Sequence, residues 1–264
     1  FTSPMLWDFL ILATYMVLSI IFTRQLMLVN EGKKDESSIK PIAVIAFIAG
    51  ILVVVTSFVF SFQVARPMWH NPVQPISFLV SALIAALGVQ MILAVILNKA
   101  GYIKMPMNLL GKMAKVTTAF LCVQLIIVVG EVLMGIYPGA GSGYEAMIWL
   151  VAGKGAVMFW LEIVALVAAI LLLGKIKGSS KGSSVVLGAV LALAAIYLVK
   201  SNLLQTELFN PLLNLPGPVM FGDTGSYLPS LIEIGLSVGI ISLGALLLSI
   251  GLNKLNLGNS NTSK

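Results

Sequence analysis

Apolar residues in this chain fall in long unbroken blocks separated by short polar stretches. The blocks approach or exceed the roughly 20 residues that a helix needs to cross about 30 Å of hydrocarbon. The pattern predicts seven spans: Leu6–Leu28, Pro41–Phe62, Pro75–Leu97, Lys112–Met134, Met147–Leu173, Ser184–Lys200 and Pro229–Leu252. The alternation of barrel strands is absent, and a run such as Ile42–Val55 can satisfy its backbone groups in lipid only as a helix. The expected fold is an all-α integral membrane protein of about seven transmembrane helices.

Punctuation between the blocks supports the same reading. Every proline falls in a loop or at a span end, so the spans are expected to be unbroken. Transporters that bind substrate at unwound helices carry Gly or Pro interruptions in corresponding halves, and no such pairing is seen. The linker Lys175–Ser184 reads as flexible and polar. The stretch Ser201–Leu228 reads as a long proline-bearing loop, either a partner surface or an ordinary connection.

Composition agrees: of 264 residues, 59% are hydrophobic and 10% charged, with mean hydropathy +1.03. The net charge of +6 would suit a nucleic-acid binder if the bases clustered on one face. Instead, all of the 16 bases except Arg66, Lys154 and Lys200 lie at one set of loops and ends. The positive-inside rule makes those loops and the C-terminus cytoplasmic and puts the N-terminal end outside. The expected setting is the cytoplasmic membrane of a prokaryote, with lipid as the main partner and no nucleic acid. Asp8, Glu131, Glu145, Glu207, Asp223 and Glu233 lie in or beside the outer segments.

Cys122 is the single cysteine, so neither an internal disulfide nor a thiolate metal site is expected. His70 is the single histidine, whereas a membrane haem b needs two axial ligands, so no haem and no metal site are expected. The sequence begins at Phe1, and its first span follows with no basic segment before it, as expected of a chain with further residues upstream.

Ionisable groups inside spans are costly and face a bundle interior, a wet cavity or a proton route. The candidates are Asp8, Glu131, Lys154, Glu162 and Glu233. Asp8 follows Ser3-Pro4, so it is either a helix-start acid or a proton acceptor beside an outward-facing pocket. Glu233 has capping-box spacing from Ser230. Glu131 sits in a last helical turn, where an acid opposes the helix dipole. Lys154 and Glu162 lie eight residues apart in one predicted span, about 12 Å along its axis, so each needs a partner elsewhere. That arrangement fits a proton relay or a structural ion pair between helices. In the segment Gln63–Pro72, Trp69 reads as an interface anchor, with Arg66 and His70 contacting a partner or headgroups.

Ser3-Pro4-Met5-Leu6-Trp7-Asp8-Phe9 followed by Thr14-Tyr15 resembles the SPxxWDxxxxxTY helix of NrfD-like membrane subunits, the family of the polysulfide reductase anchor. Gln63 to His70 before Ser81-Ala82-Leu83, the turn at Asn202, and Tyr227-Leu228-Pro229-Ser230 with Glu233 are similar in order and spacing to its ten-helix branch. That branch includes the hydrogenase, sulfite-reduction-associated and alternative complex III anchors. The resemblance implies the last seven helices of a ten-helix, two-bundle fold. In it, residues 1–62 belong to the quinone-site bundle and 63–74 form an outer partner-facing loop. Residues 75–200 make a second four-helix bundle, 201–228 an outer loop, and 229–264 the final helix and tail. Lys200 departs from the family, in which arginine is commoner, so a bidentate contact there is not expected.

The resemblance further implies a subunit of a respiratory oxidoreductase that binds menaquinone or a related quinone near the outer face. Iron–sulfur clusters would lie in a ferredoxin-like partner, with a catalytic subunit on the same face. Asp8 would accept the quinol proton, beside Trp7 and Tyr15, while Glu131, Lys154, Glu162 and Glu233 would serve proton transfer. The competing readings are an ion-coupled secondary transporter and a structural anchor that binds no quinone.

Overall fold

The computed structural model describes residues 4–56, 58–62, 69–177, 180–209 and 229–254. Its helices are α1 (Pro4–Asn30), α2 (Lys40–Thr56), α3 (Phe58–Ser61), α4 (Gln74–Lys99), α5 (Met107–Ile136), α6 (Ser142–Ala152), α7 (Ala156–Gly174), α8 (Gly182–Phe209) and α9 (Leu231–Lys254). A single 3-10 turn, Glu36–Ser38, precedes α2. Among the described residues there is no strand, and the protein is an all-α integral membrane protein. Six helices are long and apolar enough to cross a membrane, namely α1, α4, α5, α7, α8 and α9. The second expected span, Pro41–Phe62, is divided between α2 and the short α3, and α2 alone has 17 residues.

Local chemistry sets the helix ends. Gly32 leaves α1 at φ 70°, a left-handed conformation open to glycine, and its N–H donates to the Val29 carbonyl. Pro106 precedes α5 in extended geometry, where its missing N–H costs nothing. At the start of α4 the Asn71 side chain accepts the Val73 N–H at 2.9 Å.

The chain divides into two compact units, Phe1–Leu79 and Val80–Lys264. In the first, α1 packs against α2. In the second, α7 and α8 make the most extensive helix pair among the described residues, and α5 and α6 pack against both. Side chains of α9 are almost all exposed.

Close approach of α7 and α8 rests on small residues, since lipid tails give helices no hydrophobic reason to associate. Ala189, Ala192 and Ala195 form a fully buried stripe on α8. On the same helix Gly188 is so close to α7 that a Cβ there would lie 2.6 Å from the buried Leu173.

Two expectations are corrected. The span Met147–Leu173 is not continuous: α6 ends at Ala152 and α7 begins at Ala156, with Gly153, Lys154 and Gly155 between them. A Cβ on Gly153 would lie 2.7 Å from the Trp149 carbonyl, and one on Gly155 would lie 2.8 Å from the Trp149 ring. Only glycine permits that turn. The polar groups it frees are re-satisfied: the Gly153 and Gly155 N–H groups both reach the Trp149 carbonyl at 3.1 Å, and the Trp160 indole donates to Val151 at 3.2 Å. The glycines, not a proline, mark the break, and the 12 Å offset along a single helix axis does not apply to Lys154 and Glu162.

The second correction is that α8 continues nine residues past Lys200, to Phe209. Asn202 is therefore helical rather than in a turn, and residues 201–209 do not belong to the expected loop. Residues 210–228 of that loop lie outside the described residues.

Gly188→Val should destabilise the protein by about 1–3 kcal/mol, because its added carbons meet a side chain with no room to retreat. Thermal unfolding in detergent checks this; an unchanged midpoint would contradict the close α7–α8 contact.

Candidate functional site

In the first unit, Asp8 and Tyr15 are seven residues apart on α1, two turns and about 10 Å along one face. Both meet α2. The Thr56 hydroxyl lies 2.5 Å from Asp8 Oδ1 and 2.7 Å from the Val53 carbonyl. Further along, the Tyr15 ring covers Gly50, where a Cβ would meet it at 3.4 Å. Trp7 is 51% exposed and Tyr15 38% exposed, so aromatic surface flanks a half-buried carboxyl.

The Thr56 hydroxyl has one hydrogen and two acceptors within reach. While Asp8 is ionised, that hydrogen can serve only one of them. A protonated Asp8 resolves the conflict by donating to Thr56 Oγ1, which then donates to Val53. The pair is thus complete in hydrogen bonds when Asp8 carries a proton.

His70 Nδ1 lies 2.8 Å from the Ser61 carbonyl, which fixes Nδ1–H as the donor. Trp69 is half-buried, while Arg66 lies outside the described residues.

The second unit holds a different group. Glu162 on α7 is 2% exposed, and the buried Asn202 amide on α8 donates to its Oε2 at 2.7 Å. Glu131 on α5, Glu162, and Lys200 on α8 interact electrostatically with one another. One turn beyond Asn202, the Thr206 hydroxyl donates to the Asn202 backbone carbonyl at 2.6 Å, and Glu207 is also buried. Ser81 and Gln124 form a further buried pair at 3.3 Å, between α4 and α5.

Glu131 and Glu162 are therefore brought together, while Lys154 is exposed in the α6–α7 turn. Glu233 lies apart, at the start of α9: its Oε2 accepts the Ser230 N–H at 2.6 Å and the Ser230 hydroxyl at 2.9 Å. This is the capping box that its spacing suggests.

Sequence reasoning did not assign Lys200, Asn202, Glu207 or Gln124 to the buried group. An extended α8 was the missing signal. Among the described residues no three His, Cys, Asp or Glu side chains converge as a metal would require.

The fold and these sites define a multi-pass helical membrane protein with ionisable groups held inside its spans. The chain belongs to the NrfD, or polysulphide reductase, family, whose model matches residues 1–208. It is 25% identical, over 292 aligned positions, to a Halobacterium salinarum protein described as a "Putative dimethyl sulfoxide reductase membrane subunit". That alignment takes in 97% of this chain and 66% of the relative, so the chain spans just under two thirds of the relative's length.

Asn202→Ala should cost about 1–3 kcal/mol, because it leaves the buried Glu162 carboxyl short of a donor. Denaturant unfolding of the purified protein reads this, and wild-type stability in the variant would show that the contact contributes nothing.

Proposed function

We propose that this chain is the quinone-binding membrane subunit of a reductase complex, exchanging electrons between a menaquinone-type pool and an iron–sulfur partner. Membership of the NrfD family supports the reading, as does the reductase membrane subunit named among its relatives. The observation that carries it is the Asp8–Thr56–Val53 hydrogen-bond chain, which closes when Asp8 gains a proton.

The residues around Asp8 fit a quinone head group. An acidic oxygen lies beside the indole of Trp7, with a phenol two turns along the same helix at Tyr15, on an otherwise apolar surface. When bound, a quinol supplies two electrons and two protons. Asp8 then accepts a proton from the ring hydroxyl and passes its own hydrogen bond to Thr56. Thr56 acts as a positioning residue, because the Val53 carbonyl takes its hydrogen only when Asp8 is protonated. Trp7 and Tyr15 line the pocket and keep water from the carboxyl.

Electrons leave to a ferredoxin-like subunit that docks, with a catalytic subunit, near Trp69, His70 and Arg66. The distribution of bases supports an outward position for that face in a prokaryotic cytoplasmic membrane. Glu131, Lys154 and Glu162 serve proton transfer across the second unit. Glu233 is the weakest member of that set, because its Oε2 already holds both groups of Ser230.

One observation favours ion-coupled transport as a second reading: the break at Gly153–Gly155, since transporters place sites at interrupted helices. Retention of a quinone and an iron–sulfur partner by the purified protein separates the two, as it does the structural-anchor reading.

Asp8→Asn should abolish quinol-linked turnover, and near-normal activity would sink the proposal. Thr56→Val should lower kcat/KM by roughly two- to tenfold, the equivalent of one ordinary hydrogen bond. In sealed vesicles Glu162→Gln should reduce the protons moved per electron; an unchanged ratio would remove the second unit from proton transfer.

A further inference from the structure

Buried charge in the second unit is unequal. Two carboxyls, Glu131 on α5 and Glu162 on α7, face a single ammonium, Lys200 on α8, and the three interact electrostatically. If all three were ionised, the group would carry one uncompensated negative charge. Membrane interiors tolerate ionised groups when they are paired, and a surplus carboxylate in such surroundings takes up a proton instead.

Other charged groups on the same elements leave the surplus in place. Glu207, seven residues beyond Lys200, is buried, and Lys154 lies in the α6–α7 turn. These add one acid and one base. Glu145, in the first turn of α6, is exposed, and Lys112 and Lys115 lie at the opposite end of α5 from Glu131.

We infer that Glu131, Glu162 and Lys200 form a buried proton-holding site, in which one proton is shared between the two carboxyls and Lys200 balances the remaining charge. The geometry favours retention of that proton within the bundle. Glu162 is held toward α8 by the Asn202 amide at 2.7 Å. The three helices that carry the groups are also the three against which α6 packs, and the glycine break allows α6 to take that place. Lys200 thus acquires a role as internal counter-ion: it allows one carboxyl to ionise and leaves the other to load and release a proton.

The inference rests on reading Glu131 and Glu162 as proton-transfer groups, and not on the quinone pocket. Infrared spectroscopy of the purified complex in lipid nanodiscs, in H2O and D2O, tests it. The wild-type protein should show one deuterium-sensitive carboxylic-acid carbonyl band that is lost in both Glu131→Gln and Glu162→Gln, because in each the surviving acid pairs with Lys200 as a carboxylate. Lys200→Met should double the band, and combining it with Glu131→Gln should restore single intensity.

A band that persists in both glutamine variants, or no such band in the wild type, would overturn the inference. An unchanged band in Lys200→Met would do the same for the counter-ion. If Lys200→Met fails to assemble, the two glutamine variants still decide. Asp8→Asn leaves this band in place, so failure of the quinone reading and failure of the proton-holding site are seen separately.

Discussion

Lipid offers no hydrogen-bond partners, and this constraint shapes the rest of the molecule. Backbone groups are satisfied within helices. Every polar side chain inside a span must then find its partner in the protein, at a neighbouring helix or in its own preceding turn. Thr117 and Thr118 take the second course, donating to carbonyls four residues back at 2.9 and 2.8 Å. Glu162 takes the first, through Asn202, and Asp8 does so through Thr56. The groups able to carry chemistry are those whose partners come from another helix.

The same constraint explains the packing. Helices in lipid associate where their surfaces allow close approach, and the alanine stripe and Gly188 on α8 provide it against α7. Glu162 and Asn202 sit on these two tightly packed helices, so the polar contact and the small-residue contact depend on each other. Where the chain breaks, between α6 and α7, the exposed backbone is again covered locally, by glycine N–H groups and by the Trp160 indole.

Membrane class, helical fold and the approximate place of most spans were legible in the sequence, because a run of 20 apolar residues has essentially one stable form in lipid. The capping role of Glu233 was legible for a similar reason: it depends on a spacing of three residues and on nothing distant. Asp8 stood out as an acid at the start of an apolar helix, and the order of motifs around it pointed to the NrfD family. Family membership then came from the match over residues 1–208.

What only the tertiary structure decided were contacts between residues far apart in the chain. Pairing of Asp8 with Thr56 spans 48 residues and that of Glu162 with Asn202 spans 40, and no local pattern encodes either. The break at Gly153–Gly155 was hidden because glycine is common in membrane helices and ends one only where neighbouring side chains, here Trp149, require it. The continuation of α8 past Lys200 was hidden by its polar residues, Asn202, Thr206 and Glu207, which read as a loop until helix packing buries them. Local hydropathy records what lipid permits, whereas the partners of buried polar groups are chosen by the way the helices come together.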